Sequence, residues 1–304
     1  MPVSRRSLGY LYALLTLLIW SSFVVMSKWS GQQGLHPFDV TALRVSAAAL
    51  CLLPWWLPRL LHPQRRRLPL YQTLTLAALA GVGYPLMAYT GLLYAPASHG
   101  AILIAGLLPL STTVLSCWLL HEWFSAGKLA GLLLMVCGAI LLLGQPSSSE
   151  HQLRIVGDAI LIGAGMIWAT FTVLIRYWKA TAFDVTLAVV AAAALFYLPI
   201  YVLFLPKHWQ SVTLDHLLYQ ALFQGVLVVC VAMWTYSKAT EILGATQTVM
   251  LLSTVPVVGS AMSVLWLGEP LTTVLIMGAL LTTTGALIGA YTSRMPTTLA
   301  GQSS

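Results

Sequence analysis

Ten apolar stretches dominate this 304-residue chain, near 8–28, 38–58, 70–93, 97–120, 126–144, 155–177, 183–205, 213–237, 245–266 and 271–291. Each is long enough to cross about 30 Å of hydrocarbon as a helix rising about 1.5 Å per residue. Barrel strands are excluded, because the runs are too long and do not alternate. The expected fold is all-α and membrane-integral, with ten transmembrane helices. Composition agrees: 59% of residues are hydrophobic and 8% charged, against about 45–50% and about 25% in soluble domains. That little charge cannot coat a water-exposed surface. The soluble enzyme, the disordered tail and the secreted disulfide scaffold are thereby removed as classes.

A net charge of +7 would suggest a nucleic-acid partner in a soluble protein. In a membrane chain, basic residues gather in cytoplasmic loops instead, and no nucleic acid is expected. With the N-terminus inside, eleven basic residues fall on the inner side, among them Arg5, Arg6, Arg59, Lys128, Arg176 and the arginine run 65–67; only Lys28, Arg154 and Lys207 fall outside. The expectation is a multi-pass protein of the cell (inner) membrane with both termini cytoplasmic. Arg5 and Arg6 could open a secretory leader, but the following run is long for one and no small-x-small site follows, so it reads as a retained helix. Cys51, Cys117, Cys137 and Cys230 lie inside apolar runs without metal-ligand spacing, as small hydrophobes do. Neither a metal nor a cofactor is expected.

The chain also repeats itself. Ile19-Trp20 and Phe23 match Ile167-Trp168 and Phe171, as Gly9 matches Gly157 and Lys28 matches Arg176. Phe38-Asp39-Val40-Thr41 recurs as Phe183-Asp184-Val185-Thr186, and Pro54 is answered by Pro199. Farther on, Pro109, Glu122, Gly131 and Gly138 align with Pro256, Glu269, Gly278 and Gly285. The series is colinear over five helices, which divides the chain into repeats 8–144 and 155–291 about the linker 145–150. A duplicated unit with an odd number of spans enters the membrane from the opposite side in its second copy, so the two five-helix repeats are inverted. Secondary transporters use that symmetry to exchange one packing between halves and open alternate faces.

These residues carry a family resemblance. Ile-Trp-Ser-Ser at 19–22, Ile-Trp-Ala-Thr at 167–170, Leu-Arg-Val at 43–45 and the Pro109…Glu122 and Pro256…Glu269 pairs resemble the drug/metabolite transporter superfamily, in particular its EamA-type ten-helix branch. The resemblance covers about 8–291 and implies small metabolites, amino acids and their relatives, or toxic cations, usually moved out of the cell. One departure stands out: Arg44 is answered by Val189.

Candidate contacts with a small-molecule substrate are the polar and aromatic groups that lipid would penalise. All eight acidic residues are expected at helix ends or in loops, with Asp39, Asp184, Glu122 and Glu269 as caps of the helices they open or precede. Arg44 sits six residues into the second span, where it either holds a substrate carboxylate by paired N–H bonds or snorkels to the interface and bonds neighbouring carbonyls. Trp20 and Trp168 occupy equivalent mid-depth positions, suited to cavity lining or to helix packing. Tyr84 shares a helical face with Gly81, Ala88 and Gly91 beside Pro85. Gln224 and Gln247, with Thr254, offer substrate contact or interhelical hydrogen bonds. His99 reads as an exposed imidazole or a proton carrier, and Tyr89, near a span end, is a weaker candidate, as are Trp234 and Tyr236. Pro109 and Pro256 are candidate hinges or passive irregularities. Gly127, Gly131, Gly138, Gly278, Gly285 and Gly289 give helices five and ten small faces, suited to scaffolding or to a homodimer contact.

The leading reading is a secondary transporter of small metabolites working by alternating access, with helices one to four and six to nine around a central cavity. A membrane-embedded enzyme is the alternative, but no nucleophile elbow, histidine pair at metal spacing or aspartate cluster is present. A channel is the third reading, disfavoured by the lack of a repeated charged ring.

Overall fold

A backbone in hydrocarbon must satisfy every N–H and C=O internally, and an uninterrupted helix does so. The computed structural model describes residues 5–62, 64, 68–122, 125–144 and 151–292. Among them, ten helices are long and apolar enough to span a membrane: α1 Arg5–Gln32, α2 Pro37–Leu61, α3 Leu70–Tyr94, α4 Ala97–Leu120, α5 Ala126–Leu143, α6 Gln152–Tyr177, α7 Ala182–Phe204, α8 Leu214–Leu243, α9 Ala245–Leu267 and α10 Thr273–Thr292. The inner-side arginines 65–67 and Arg294 lie outside the described residues.

The helices interleave between the two repeats. α1 packs on α8 and α9, and the exchanged pairs, α6 with α3 and α4, do the same. α2 lies against α7, α4 against α9 and α5 against α10, each helix meeting its own counterpart. Packing partners thus obey the exchange of each helix with the one five places on, the contact pattern of two inverted copies. The buried core around Phe23, Leu92, Ile102, Leu103, Met135 and Leu161 draws on both repeats.

Local sequence explains the entries. At α2 the His36 ring accepts from the Phe38 N–H at 3.4 Å and Asp39 accepts from the His36 N–H at 3.1 Å. This is a reciprocal capping box with Pro37 in the first turn. In α7, Thr181 caps Asp184 N at 3.2 Å, and Asp184 turns to Arg59 at 2.8 Å.

The expectation for Glu122 and Glu269 requires correction. Ser125 caps α5 through Lys128 N, and Thr272 caps α10 through Leu275 N. Glu269 instead accepts from Ala97 N at 2.6 Å and Ser98 N at 3.0 Å, so it caps α4 in the other repeat. Glu122 pairs with Arg176 at 2.5 Å. The reason is tertiary: α9 ends beside the start of α4, and four free N–H groups at a helix start draw the nearest carboxylate.

Three helices depart from regular α-geometry where they pass the centre. The backbone widens to a π-turn over Ala77–Gly83 in α3, Ala101–Gly106 in α4 and Ala221–Val231 in α8. In α3 this precedes Pro85, whose missing N–H breaks the regular ladder. α4 and α9 are interrupted at Leu107 and Thr254, each with ψ near zero, and restart with Pro109 and Pro256 in the first turn. The glycine faces of α5 and α10 turn on each other. A Cβ on Gly131 would lie 2.5 Å from the Gly285 carbonyl oxygen, and one on Gly138 would lie 2.9 Å from that of Gly278.

Candidate functional site

The interleaving leaves a central cavity of about 190 Å³, lined by all eight helices other than α5 and α10. Trp20, Arg44, Tyr84 and Trp168 all face it. Its wall is built by helical spacing: Phe23 follows Trp20 by three residues, and Phe171 follows Trp168 by three, so each pair shares a face. Small residues on the π-turns, among them Ala80, Gly81, Ala101 and Ala105, make room for the rings.

The aromatic groups form a connected series. Trp168 lies 4.8 Å from Tyr84 and 5.0 Å from Phe171, and Tyr84 stacks on Phe23 at 6.0 Å and 22°. Trp20 packs against Tyr236 at 5.5 Å. The Arg44 guanidinium sits over the Phe23 ring at 5.9 Å. Arg44 does not snorkel: it is 7% exposed, and its Nη1 has no hydrogen-bond partner among the described residues. The Tyr84 and Tyr89 hydroxyls lie within its electrostatic reach.

Above the cavity, on the side away from the chain termini, a buried polar layer spans the bundle. The Tyr89 hydroxyl donates to Gln224 Oε1 at 3.1 Å, and Gln224 Nε2 donates to Ser27 Oγ at 3.2 Å. Tyr89 is 2% exposed, so although it lies near the end of its span it is enclosed by the bundle. His99 Nδ1 meets Asp158 Oδ1 at 2.7 Å, with both residues buried. This corrects two expectations: His99 is not an exposed imidazole, and not every carboxylate lies at a helix end or in a loop. The cause is the close approach of α6 to α3 and α4, where Gly157 backs onto Gly91 and Ala95. Still closer to that end, Lys28 Nζ donates to the Leu93 and Ala95 carbonyls at 3.3 and 3.0 Å, beside the Glu269 cap.

Gln247, half-buried in the first turn of α9, is not among the lining residues. Gln224, Tyr89 and His99 do not line the cavity either, and Pro109 and Pro256 mark the backbone breaks in its wall. The sequence reading missed Phe23 and Phe171 as wall residues, although both belong to the repeated Trp-x-x-Phe pattern. It also missed Asp158 and Lys28 as parts of the central assembly, and Tyr236, weighed as a weaker candidate, packs directly on Trp20. No group of three or more His, Cys, Asp or Glu with metal-holding geometry occurs among the described residues.

Comparison with known proteins gives concordant results. A family described as "EamA-like transporter family" matches residues 7–144 and again 155–290. A curated protein of Archaeoglobus fulgidus described as "Uncharacterized transporter" is 29% identical over 175 residues, 56% of this chain and 57% of that one. The match thus spans little more than half of the curated relative's length. A solved chain described as "Crystal structure of protein" superposes with a TM-score of 0.65 at 22% identity, over 96% of this chain and 98% of the other. That likeness concerns the fold alone.

Proposed function

We propose, from the premise that the chain belongs to the EamA-like transporter family and is a membrane transporter, that it moves small metabolites, amino acids or related compounds, outward by alternating access. The observation that carries this reading is the inequality of the two ends of one cavity. At the end away from the chain termini, Glu269 ties α9 to the start of α4, Lys28 ties α1 to the end of α3, and the Tyr89–Gln224–Ser27 layer lies beneath them. At the other end the repeat counterpart of Glu269, Glu122, bonds Arg176 at the half-exposed surface. Exchange of the two arrangements between repeats would close the second end and open the first. The breaks before Pro109 and Pro256 supply equivalent places for α4 and α9 to bend, and we assign them the hinge role.

Within this reading Trp20, Tyr84, Trp168 and Arg44 contact the solute. Gln224, Tyr89 and His99 belong to the closed end, where Gln224 and Tyr89 would meet the solute when the layer opens. Gln247 would meet it at the opposite end. The bias of basic residues supports cytoplasmic termini in a cell (inner) membrane, which makes the closed end the outer one. A homodimer through α5 and α10 would use their outward apolar faces, since the glycine faces are engaged within the chain.

The test is counterflow in proteoliposomes against a broad metabolite panel. Saturable exchange of one solute class is expected, with uptake reduced at least tenfold by Trp20→Ala and by Tyr84→Ala while both variants remain folded. Conductance without countertransport would indicate a channel, and a covalently altered solute an enzyme. Absence of any exchange would overturn the reading.

A further inference from the structure

Among the described residues Arg44 is the one charged group in the cavity wall, and none of them forms an ion pair with it. The two buried carboxylates nearest in kind are engaged elsewhere. Asp39 accepts from the Tyr201 hydroxyl at 2.5 Å and from His36 N, and Asp158 is held by His99. A guanidinium that is 7% exposed with Nη1 unpartnered is an expensive arrangement unless a ligand completes it. Apart from Thr186 the rest of the wall is aromatic and aliphatic, and the volume of about 190 Å³ is of the order of the ~150 Å³ apolar cavity that takes up one benzene. That suits one ring or branched chain, not a nucleotide.

We propose that this cavity selects a small organic anion, a single carboxylate on an apolar or aromatic body, with Arg44 holding the carboxylate and Trp20, Trp168 and Tyr84 flanking the body. The inference rests on the transporter reading above and, among the small metabolites it covers, sets organic anions ahead of amino acids. A carboxylate meets Arg44 through parallel N–H bonds and cancels the buried charge. An ammonium group on the same body finds no carboxylate in the wall and is repelled by the guanidinium. Ring faces attract cations, but the Phe23 face is already occupied by Arg44 itself. A zwitterion therefore gains at one end and loses at the other, and a cation has only the remaining ring faces to set against the repulsion of the guanidinium.

Three phenyl compounds of matched shape separate these cases: 3-phenylpropanoate, phenylalanine and 2-phenylethylammonium. Binding is measured calorimetrically on the full chain in nanodiscs, and exchange in proteoliposomes at pH 7.5 with protein-free vesicles subtracted. The expected result is saturable binding and exchange of the anion, with the zwitterion at least tenfold weaker and the cation unbound. Arg44→Gln should weaken anion binding by about ten- to a hundredfold, and Arg44→Lys should recover part of it. Should Arg44→Gln fail to fold, Arg44→Lys and the ligand series on the native chain still decide. Equal or better binding of phenylalanine or the ammonium overturns the proposal, as does anion binding that ignores Arg44. Exchange of some other solute with no binding of the anion overturns it too, and leaves the transporter reading standing. Arg44-dependent anion binding without exchange of any solute has the reverse meaning: the ligand class holds and the transporter reading falls.

Discussion

At His121 the backbone turns left-handed, φ 55°, to close the end of α4, at the place where its counterpart Gly268 closes α9 with φ 68°. A Cβ in that region is crowded by the next carbonyl, which costs about 1–2 kcal/mol. Glycine removes the crowding, so His121→Gly should raise the thermal midpoint in detergent; an unchanged or lower midpoint would show that the imidazole makes a compensating contact. His36 offers a second residue-scale test. Its neutral ring accepts the Phe38 N–H, and desolvation, followed by the neighbouring His208 ring at 5.2 Å, holds its pKa below the ordinary histidine value, against a smaller opposing pull from Asp39. The unfolded chain thus binds the proton first as pH falls. The stabilisation is complete above about pH 6.5 and is lost as the pH drops through the folded-state value. His36→Asn keeps a capping acceptor and removes the titration, so it should flatten the fall in melting temperature between pH 7.5 and 5.5. A profile identical to the native one would place the acid sensitivity elsewhere. How far single residues were legible follows the same physics. Trp20, Arg44, Tyr84 and Trp168 were visible as polar or large groups at mid-span, whereas Phe23 and Phe171 look like any core phenylalanine until their faces are seen.

At the scale of the helix pair, α5 and α10 approach so closely that backbone meets backbone. A Cβ on Gly285 would lie 2.4 Å from the Gly131 carbonyl oxygen, while one on Gly289 has open space. Gly131→Ala and Gly285→Ala should therefore each destabilise by about 1–3 kcal/mol, and Gly289→Ala should be close to neutral. Melting of the three variants side by side checks this, and equal effects would contradict the interface as described. The pair contributes nothing to the cavity wall, so transport per folded molecule should survive even where stability falls. GxxxG spacing alone could not separate 285 from 289, because which small residue meets a backbone depends on the crossing of the two helices.

For the molecule as a whole, the balance between the two cavity ends is the property that matters. Glu269 supplies two charge-assisted caps to α4 across the repeats, and a cap of this kind is worth about 1 kcal/mol. In a background with the four native cysteines replaced, a reporter Val24→Cys in the wall should become more reactive from the Glu269 side when Glu269→Gln is added. Glu122→Gln, which removes only a surface ion pair of small value, should leave that reactivity unchanged. Equal effects of the two substitutions would show that Glu269 is not what closes its end.

Hydrophobic run length alone determined that this chain is a ten-helix membrane protein. The colinear repeat alone determined that its halves are inverted, because lipid admits few ways to satisfy a backbone and an odd number of crossings fixes the orientation of the second copy. The tertiary structure alone decided which caps belong to which helix, that Asp158 and His99 meet in the interior, and that Arg44 ends unpaired beside a cavity. Each of these depends on contacts between segments far apart in the chain, set by how the two copies interleave, and no local pattern of residues records that arrangement.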